Sequence, residues 1–197
     1  MVSVSQQHAQ APAGGSFFQK LNTTWHERAL QVYMFVVLLH WVEHLVQAFQ
    51  IWGLHMKRGD SLGFLGFFFP WLVTSETLHY GYALFMLAGL ILLLPGFHGR
   101  SRTWWTIALA IQFWHHIEHF VLQAQVVVGQ NLMGAPKPTS FVQLLMPMMR
   151  VELHLFYNAA VFIPMIIAMY YHMYPPAAER GTPIACSCRK VGQTVSG

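Results

Sequence analysis

The sequence predicts an all-α polytopic membrane protein, built as an up-down-up-down bundle of four transmembrane helices. Of its 197 residues, 55% are hydrophobic and only 9% are charged, whereas about a quarter of the residues in a soluble domain are charged. The apolar residues form four runs, each long enough to cross a bilayer core, which takes roughly 20 helical residues. A polar pattern also recurs along the chain, and it indicates that the four helices form two related hairpins.

The predicted spans cover residues 29–52, 71–94, 103–128 and 148–174. Residues 1–27 are polar and lack an apolar core of signal-peptide length, so we expect a flexible cytoplasmic segment that stays on the chain. Residues 28–174 form the predicted transmembrane domain, with one repeat at about 28–95 and a second at about 103–174. Residues 175–197 are expected to be a flexible cytoplasmic tail.

Basic residues near the helix ends predict the orientation. Seven lie on the side of the termini and four on the side of the other two loops: Lys20, Arg28, Arg100, Arg102, Arg180, Arg189 and Lys190, against Lys57, Arg58, Lys137 and Arg150. We therefore expect a multi-pass protein of the inner or plasma membrane with both termini in the cytoplasm. This asymmetry accounts for the net charge of +4. The expected partner is the lipid bilayer and not nucleic acid, and the chain could also be an oligomer or a subunit of a larger membrane complex.

Two near-identical motifs lie inside apolar runs, HWVEH at residues 40–44 and HHIEH at residues 115–119. A shift of 75 residues, from position 40 to position 115, aligns them and further pairs along the chain. The pairs are Glu43 with Glu118, His44 with His119, Gln50 with Gln125, Leu78 with Leu153, His79 with His154 and Tyr82 with Tyr157. Matches of this kind predict a tandem duplication of a two-helix hairpin. Such repeats are parallel and related by a pseudo-two-fold axis along the membrane normal.

The polar residues of each predicted helix share a face and a depth. His40, Glu43 and His44 lie on one face at helical spacing, and their counterparts on the third helix do the same. Glu76 and His79 have the i, i+3 spacing of a metal-binding pair. All lie in one layer slightly beyond the bilayer centre. The candidate metal ligands are His40, Glu43, His44, Glu76, His79, His115, Glu118, His119 and His154. The candidate partners around them are Tyr82, Tyr157, His116 and Glu152.

Imidazole and carboxylate together are the ligands of iron, copper and zinc sites. Ionisable residues at this depth are costly and indicate function. The leading hypothesis is an integral membrane metalloprotein with a mononuclear or dinuclear His/Glu site. Its expected use is oxygen-dependent oxidation of a lipophilic substrate from the membrane, which would make it a metal-dependent oxidoreductase.

Four alternatives remain. The chain could be a metal-ion or proton transporter or channel subunit, since intramembrane His and Glu also serve ion pathways. It could be a b-type haem electron-transfer subunit, although carboxylates beside the histidines argue against haem. HxxEH also occurs in inverted zinc peptidases, but two copies at mid-membrane do not fit a peptidase. Polar residues can also simply join helices, a role that a duplicated array exceeds.

Three further features carry less weight. Cys186 and Cys188 lie in the tail, where a two-thiol site has no nearby partners. Methionines in the second of the two long loops could bind copper(I), although packing explains them as well. The same two long loops are apolar, and we expect them to lie at the membrane interface or to cover the site as a lid.

Overall fold

The computed structural model describes residues 15–146 and 148–179, and these residues form helices and loops without a strand. The α-helices are α1 (Phe17–Leu21), α2 (His26–Trp52), α3 (Leu65–Phe68), α4 (Pro70–Thr74), α5 (Glu76–Leu93), α6 (Gly99–Val128), α7 (Phe141–Leu145) and α8 (Arg150–Met173). Short 3-10 helices follow at Leu94–Gly96, Leu132–Gly134 and Ala177–Glu179. Most of the predicted terminal segments, including Cys186 and Cys188, lie outside the described residues.

Among the described residues, three helices are long and apolar enough to cross a membrane, His26–Trp52, Glu76–Gly96 and Arg150–Met173. Their outward faces carry exposed apolar side chains such as Val32 and Phe35, and together these features indicate a membrane protein. The predicted third span forms as part of α6, a helix of 30 residues. It is not among the three, because its histidines, glutamines and Glu118 lower its mean hydropathy.

The second predicted span is wrong at its N-terminal end. Helix α5 begins at Glu76, and Ser75 before it is extended, with φ −84° and ψ 116°. The Ser75 hydroxyl accepts a hydrogen bond from the Leu78 amide at 3.4 Å, as an N-cap does. Trp71 lies in the separate short helix α4, whose first residue is Pro70. A proline at the first helical position and a capping serine explain both boundaries.

Helix α6 packs against α5 and α8, and α2 packs against α8 and α5. The rings of His26 at the start of α2, Phe97 between α5 and α6, and His172 near the end of α8 lie within 5.3 Å of one another. We call this the terminal end of the four long helices. The opposite end, where residues 53–75 and 129–149 connect the helices, is the loop end.

The apolar core lies towards the terminal end. Trp105 is fully buried, stacks on Phe97 with ring centroids 4.1 Å apart, and donates from its indole to the Leu90 carbonyl at 2.9 Å. The Tyr33 hydroxyl donates to the Met86 carbonyl at 2.8 Å. The buried residues His44, Glu118, His119 and His154 lie instead between this core and the loop end.

Candidate metal centre

Six histidines from α2, α5, α6 and α8 come together between the apolar core and the loop end. They are His40, His44, His79, His115, His119 and His154. His154 is at the centre of the group, with ring centroids 5.0 Å from His44, 5.2 Å from His119 and 5.6 Å from His79. The sequence-based expectation that these histidines form one layer therefore corresponds to a single cluster.

Three of these residues are arranged as a ligand set for one ion. His44, His79 and His154 each offer a ring nitrogen, and the three nitrogens all lie within 4.8 Å of one another. Nitrogens on a tetrahedral ion are about 3.3 Å apart, given metal–nitrogen distances of about 2.0–2.1 Å. Small rotations of the rings would therefore bring this trio onto an ion.

Hydrogen bonds hold these three rings in the same tautomer. His79 Nδ1 is 2.9 Å from the Ser75 carbonyl, and His154 Nδ1 is 2.8 Å from the Arg150 carbonyl. His44 Nδ1 is 2.6 Å from the Gln47 side-chain oxygen. Because these oxygens only accept, each Nδ1 carries the hydrogen and each neutral ring keeps a lone pair on Nε2. Metal-ligating histidines are held by such bonds.

The fit to a metal is clearest at His154. Its Nε2 is buried and has no hydrogen-bond partner among the described residues. A buried polar atom without a partner costs about 1–3 kcal/mol. An ion bound to this lone pair would remove that cost.

His40 on α2 and His115 on α6 extend the cluster. His40 Nε2 lies 3.2 Å from His44 Nε2. Since His44 carries its hydrogen on Nδ1, either His40 donates to it or both nitrogens bind a common ion. Their separation matches that of two ligands on a tetrahedral ion, about 3.3 Å. On α6, the His115 and His119 rings lie 4.6 Å apart, as the His40 and His44 rings do on α2.

Two tyrosines flank the cluster. Tyr82 stacks on His40 with centroids 3.7 Å apart, and Tyr157 stacks on His115 at 4.3 Å. The two pairs occupy positions that the 75-residue shift aligns. His116 lies apart from the six, with its ring 5.3 Å from that of Tyr80.

Glu43 and Glu118 accept hydrogen bonds from backbone amides of the loops. Glu43 Oε1 accepts from the Leu65 amide at 2.8 Å and the Gly66 amide at 3.2 Å. Glu118 Oε2 accepts from the Val142 amide at 3.2 Å. Each carboxylate thus satisfies first-turn amides of a short helix, α3 or α7, which otherwise lack a partner. Glu118 is buried, and its other oxygen has no hydrogen-bond partner in the described part of the chain.

Two glutamines hold the same loops, a role the sequence reasoning missed. The Gly63 amide donates to the Gln50 side-chain oxygen at 2.8 Å, and the Gln50 side-chain nitrogen donates to the Gly63 carbonyl at 3.3 Å. Gln125 pairs with the Thr139 backbone at 3.1 and 2.9 Å. The available signal was the alignment of Gln50 with Gln125 under the 75-residue shift. The two loops are therefore attached to the helices by equivalent contacts.

The other two glutamates of the predicted site form ion pairs at the loop end. Glu76 pairs with Arg150, and Glu152 pairs with Arg58 at 2.7 Å. Glu152 lies two residues after Arg150 on α8 and therefore on another side of that helix, so Arg150 pairs with Glu76 and Glu152 pairs with the loop residue Arg58.

Two cavities reach the cluster from different sides. One, of about 320 Å³, lies between α2 and α5 and is mostly apolar, lined by Val36, Leu39, Leu65, Leu72, Val73 and Leu78 together with His40, Glu43, His44, Gln47, His79 and Tyr82. The other, of about 380 Å³, lies at the loop end and touches His44, His79 and His154. Its wall includes Arg58, Lys137, Glu76 and Arg150. The cluster thus has one apolar approach and one polar approach.

The first loop is expected to depend on Gly63. This residue has φ +78°, and a Cβ there would collide with the Glu43 carboxylate. Gly63→Ala should lower the free energy of unfolding by about 1 kcal/mol or more, and hydrogen exchange over residues 61–68 should accelerate. Gly59→Ala is the matched control, because nothing lies within 4 Å of its Cβ. Equal exchange rates in the two variants would contradict this account of the loop.

No family model matches this chain, and the searches of curated proteins and of solved structures also find no similar protein.

Proposed function

We propose that this protein is an integral membrane metalloprotein whose histidine cluster binds one or two transition-metal ions. We further propose that the centre supports oxygen-dependent oxidation of a lipophilic substrate. The observation that carries the proposal is the convergence of His44, His79 and His154, each with Nδ1 bonded to an oxygen, so that the lone pair of each neutral ring is on Nε2.

The architecture we propose is a bundle of four membrane-crossing helices that arose by duplication of a hairpin. Equivalent contacts at aligned positions support it. His79 and His154 both bond the carbonyl four residues before them, and Gln50 and Gln125 both hold loop backbone. With α6 between α5 and α8, its histidines and Glu118 face protein, which is how a helix of lower hydropathy can cross a bilayer.

The ligand set narrows the choice of ion. The closest donors are imidazole nitrogens, which suit zinc, copper and iron, whereas calcium and magnesium prefer oxygen. Glu43, Glu76 and Glu152 have hydrogen-bond or ion-pair partners away from the imidazole nitrogens. In our proposal these carboxylates orient the loops and the loop end. Glu118 is buried next to His119 on α6, and one of its oxygens has no hydrogen-bond partner among the described residues, so it is the carboxylate best suited to assist the metal.

Redox use is supported by the surroundings of the cluster. The 320 Å³ cavity brings an apolar space to His40, His44 and His79, where a substrate from the bilayer could lie. Tyr82 and Tyr157 stack on histidines of the cluster. In the proposed reaction the substrate gives up two electrons and two protons and O₂ accepts them, while neutral imidazoles not bound to the ion can hold a proton. The metal would supply the electron transfer when bound.

Transport and haem are less well supported. A buried apolar core around Trp105, Phe97 and Leu90 lies between the cluster and the terminal end, which opposes the passage of an ion through the described part of the bundle. A haem needs two opposed imidazoles with room for the macrocycle, whereas ring nitrogens of three helices converge here within 4.8 Å.

Oxygen uptake tests the catalytic part of the proposal. Protein in nanodiscs would be supplied with a panel of lipophilic reductants, namely quinols, long-chain alcohols and unsaturated alkyl chains. We expect O₂ consumption that is lost on chelation and restored by the metal found in the purified protein. If no reductant gives consumption above that of a His154→Ala variant, the redox assignment is wrong while the metal centre can still stand.

The metal content of two variants, His44→Ala and His119→Ala, distinguishes one bound ion from two. If the site is a symmetric dinuclear centre, His44→Ala and His119→Ala should each reduce bound metal by a similar factor. A mononuclear centre on His44, His79 and His154 predicts a large loss for His44→Ala and a small one for His119→Ala. Metal content per folded chain, with both variants at equal expression, distinguishes the two. Unchanged metal in both variants would contradict either arrangement.

A further inference from the structure

The contact between α2 and α5 differs from the contact between α6 and α8, which is its counterpart under the 75-residue shift. We call each of these helix–helix contacts a seam, and the difference between them is centred on the 320 Å³ cavity. This cavity lies between α2 and α5, which make sparser contact than α6 and α8 at the aligned seam. Leu78 beside the cavity is 37% exposed, whereas the aligned Leu153 is 6% exposed. Tyr82 is half-buried, whereas the aligned Tyr157 is buried. One seam is therefore open to the side and its counterpart is packed shut.

The cavity has an apolar mouth and a polar end. Leu39 at the mouth is 51% exposed and lies on the outward surface of α2. At the inner end are His40, His79 and Tyr82. The Tyr82 hydroxyl is buried and has no hydrogen-bond partner within the described residues. An unpartnered buried hydroxyl is costly, so this end is suited to a ligand that supplies an oxygen acceptor.

We propose that this cavity is a lateral binding site for a single-chain amphiphile that comes from the bilayer. Its head carries one hydroxyl or carbonyl oxygen that accepts a hydrogen bond from Tyr82 beside His40 and His79. Its aliphatic chain lies along Leu72 and Val73 and leaves between Leu39 and Leu78 into the lipid. This assignment names the substrate class of the proposed function and rests on that proposal only for the bilayer and the metal. The recognition itself needs neither redox chemistry nor a particular ion.

The seam between α6 and α8 suggests a substitution that would block the mouth of the cavity. Trp114 occupies the position that corresponds to Leu39 under the 75-residue shift. Leu39→Trp should therefore be tolerated on α2 and should fill the mouth of the cavity. Leu38→Trp is the matched control, because Leu38 is also exposed on α2 but does not line the cavity. Tyr82→Phe removes the hydroxyl and keeps the ring on His40, with Tyr157→Phe as its counterpart on the closed seam.

Photolabelling tests the proposal in full-length protein in nanodiscs. The probe is dodecan-1-ol with a diazirine in its chain, and the matching alkane without the hydroxyl is the control probe. We expect saturable labelling within residues 36–47 and 65–82, displaced by unlabelled dodecan-1-ol. Leu39→Trp should reduce it at least tenfold and Tyr82→Phe about fivefold, the factor that one hydrogen bond of about 1 kcal/mol supplies. Leu38→Trp and Tyr157→Phe should leave it unchanged.

Several outcomes would overturn the proposal. They are labelling spread evenly over the lipid-facing surfaces of all four long helices, labelling equal for alcohol and alkane, and labelling equal in Leu39→Trp and Leu38→Trp. Metal content is measured on the same samples. Labelling as expected in protein without stoichiometric metal would support the binding site and contradict the proposed metal centre. Metal present with non-saturable labelling would do the reverse.

Discussion

His154→Ala is expected to abolish stoichiometric metal binding, the largest effect of any single substitution in the cluster. The His154 ring lies within 6.0 Å of those of His44, His79, His115 and His119. Its Nδ1 is held by the Arg150 carbonyl, and its Nε2 is buried with no hydrogen-bond partner among the described residues. Loss of a residue that only orients a ligand costs about 10–100-fold in affinity, so loss of this ligand should cost more than about 100-fold.

The measurement is metal content by mass spectrometry on detergent-purified protein of verified helical content. His55→Asn is a suitable control, since His55 is exposed in the first loop and has φ 55°, a conformation that asparagine tolerates. It should keep the metal content of the wild type. Equal retention of metal in His154→Ala and His55→Asn would show that the cluster does not bind the ion.

Trp105→Ala is expected to cause the largest loss of stability. The side chain is fully buried, stacks on Phe97 and donates to the Leu90 carbonyl. Its removal leaves a cavity where α6 meets α5, and substitutions of this kind cost about 3–5 kcal/mol. Thermal unfolding in detergent followed by circular dichroism should show a clearly lower midpoint than the wild type.

The comparison that isolates packing is Phe113→Ala on the same helix. Phe113 is 55% exposed, so its removal leaves no internal cavity and the unfolding midpoint should change little. Metal per folded chain should be unchanged in both variants, because the core and the cluster occupy different parts of the helices. Equal midpoints for the two variants would contradict the assignment of Trp105 to the centre of the core.

The sequence was sufficient to predict the cluster of histidines. Helical periodicity puts His40 and His44 on one face, and the 75-residue shift gives His115 and His119 the same arrangement on α6. The depth of His79 and His154 in their apolar runs then places all six in one layer. These inferences depend only on helix geometry and segment length, which local sequence determines.

The partners of the glutamates could not be predicted in the same way. Glu43 and Glu118 bind amides of α3 and α7, and those positions depend on how loops of more than 20 residues fold back. The i, i+3 spacing of Glu76 and His79 predicts a metal-binding pair. The same spacing also occurs between neighbours on a helix that have no common ligand, so it cannot distinguish the two cases. The pairing of Glu76 with Arg150 joins two helices, so periodicity within one helix carries no information about it.

The helix boundaries and the environment of α6 could also be predicted only in part. The break at Ser75 was missed because the capping serine lies inside the predicted span of residues 71–94, and hydropathy averaged over a span cannot detect a cap. Helix α6 was predicted as a span from its length, although its polar residues leave it outside the helices that are apolar enough by themselves. Its place between α5 and α8 is a tertiary feature, and it determines which of its faces are buried against protein.

The central claim is that the histidine cluster holds a transition-metal ion. Metal analysis and absorption spectroscopy of the full-length protein, purified in detergent after expression in metal-replete medium, test it most directly. We predict at least one equivalent of iron, copper or zinc per chain, no Soret band, and loss of the ion in His154→Ala. Less than about a tenth of an equivalent of any transition metal in well-folded wild-type protein would contradict the claim, and a Soret band would replace it with haem.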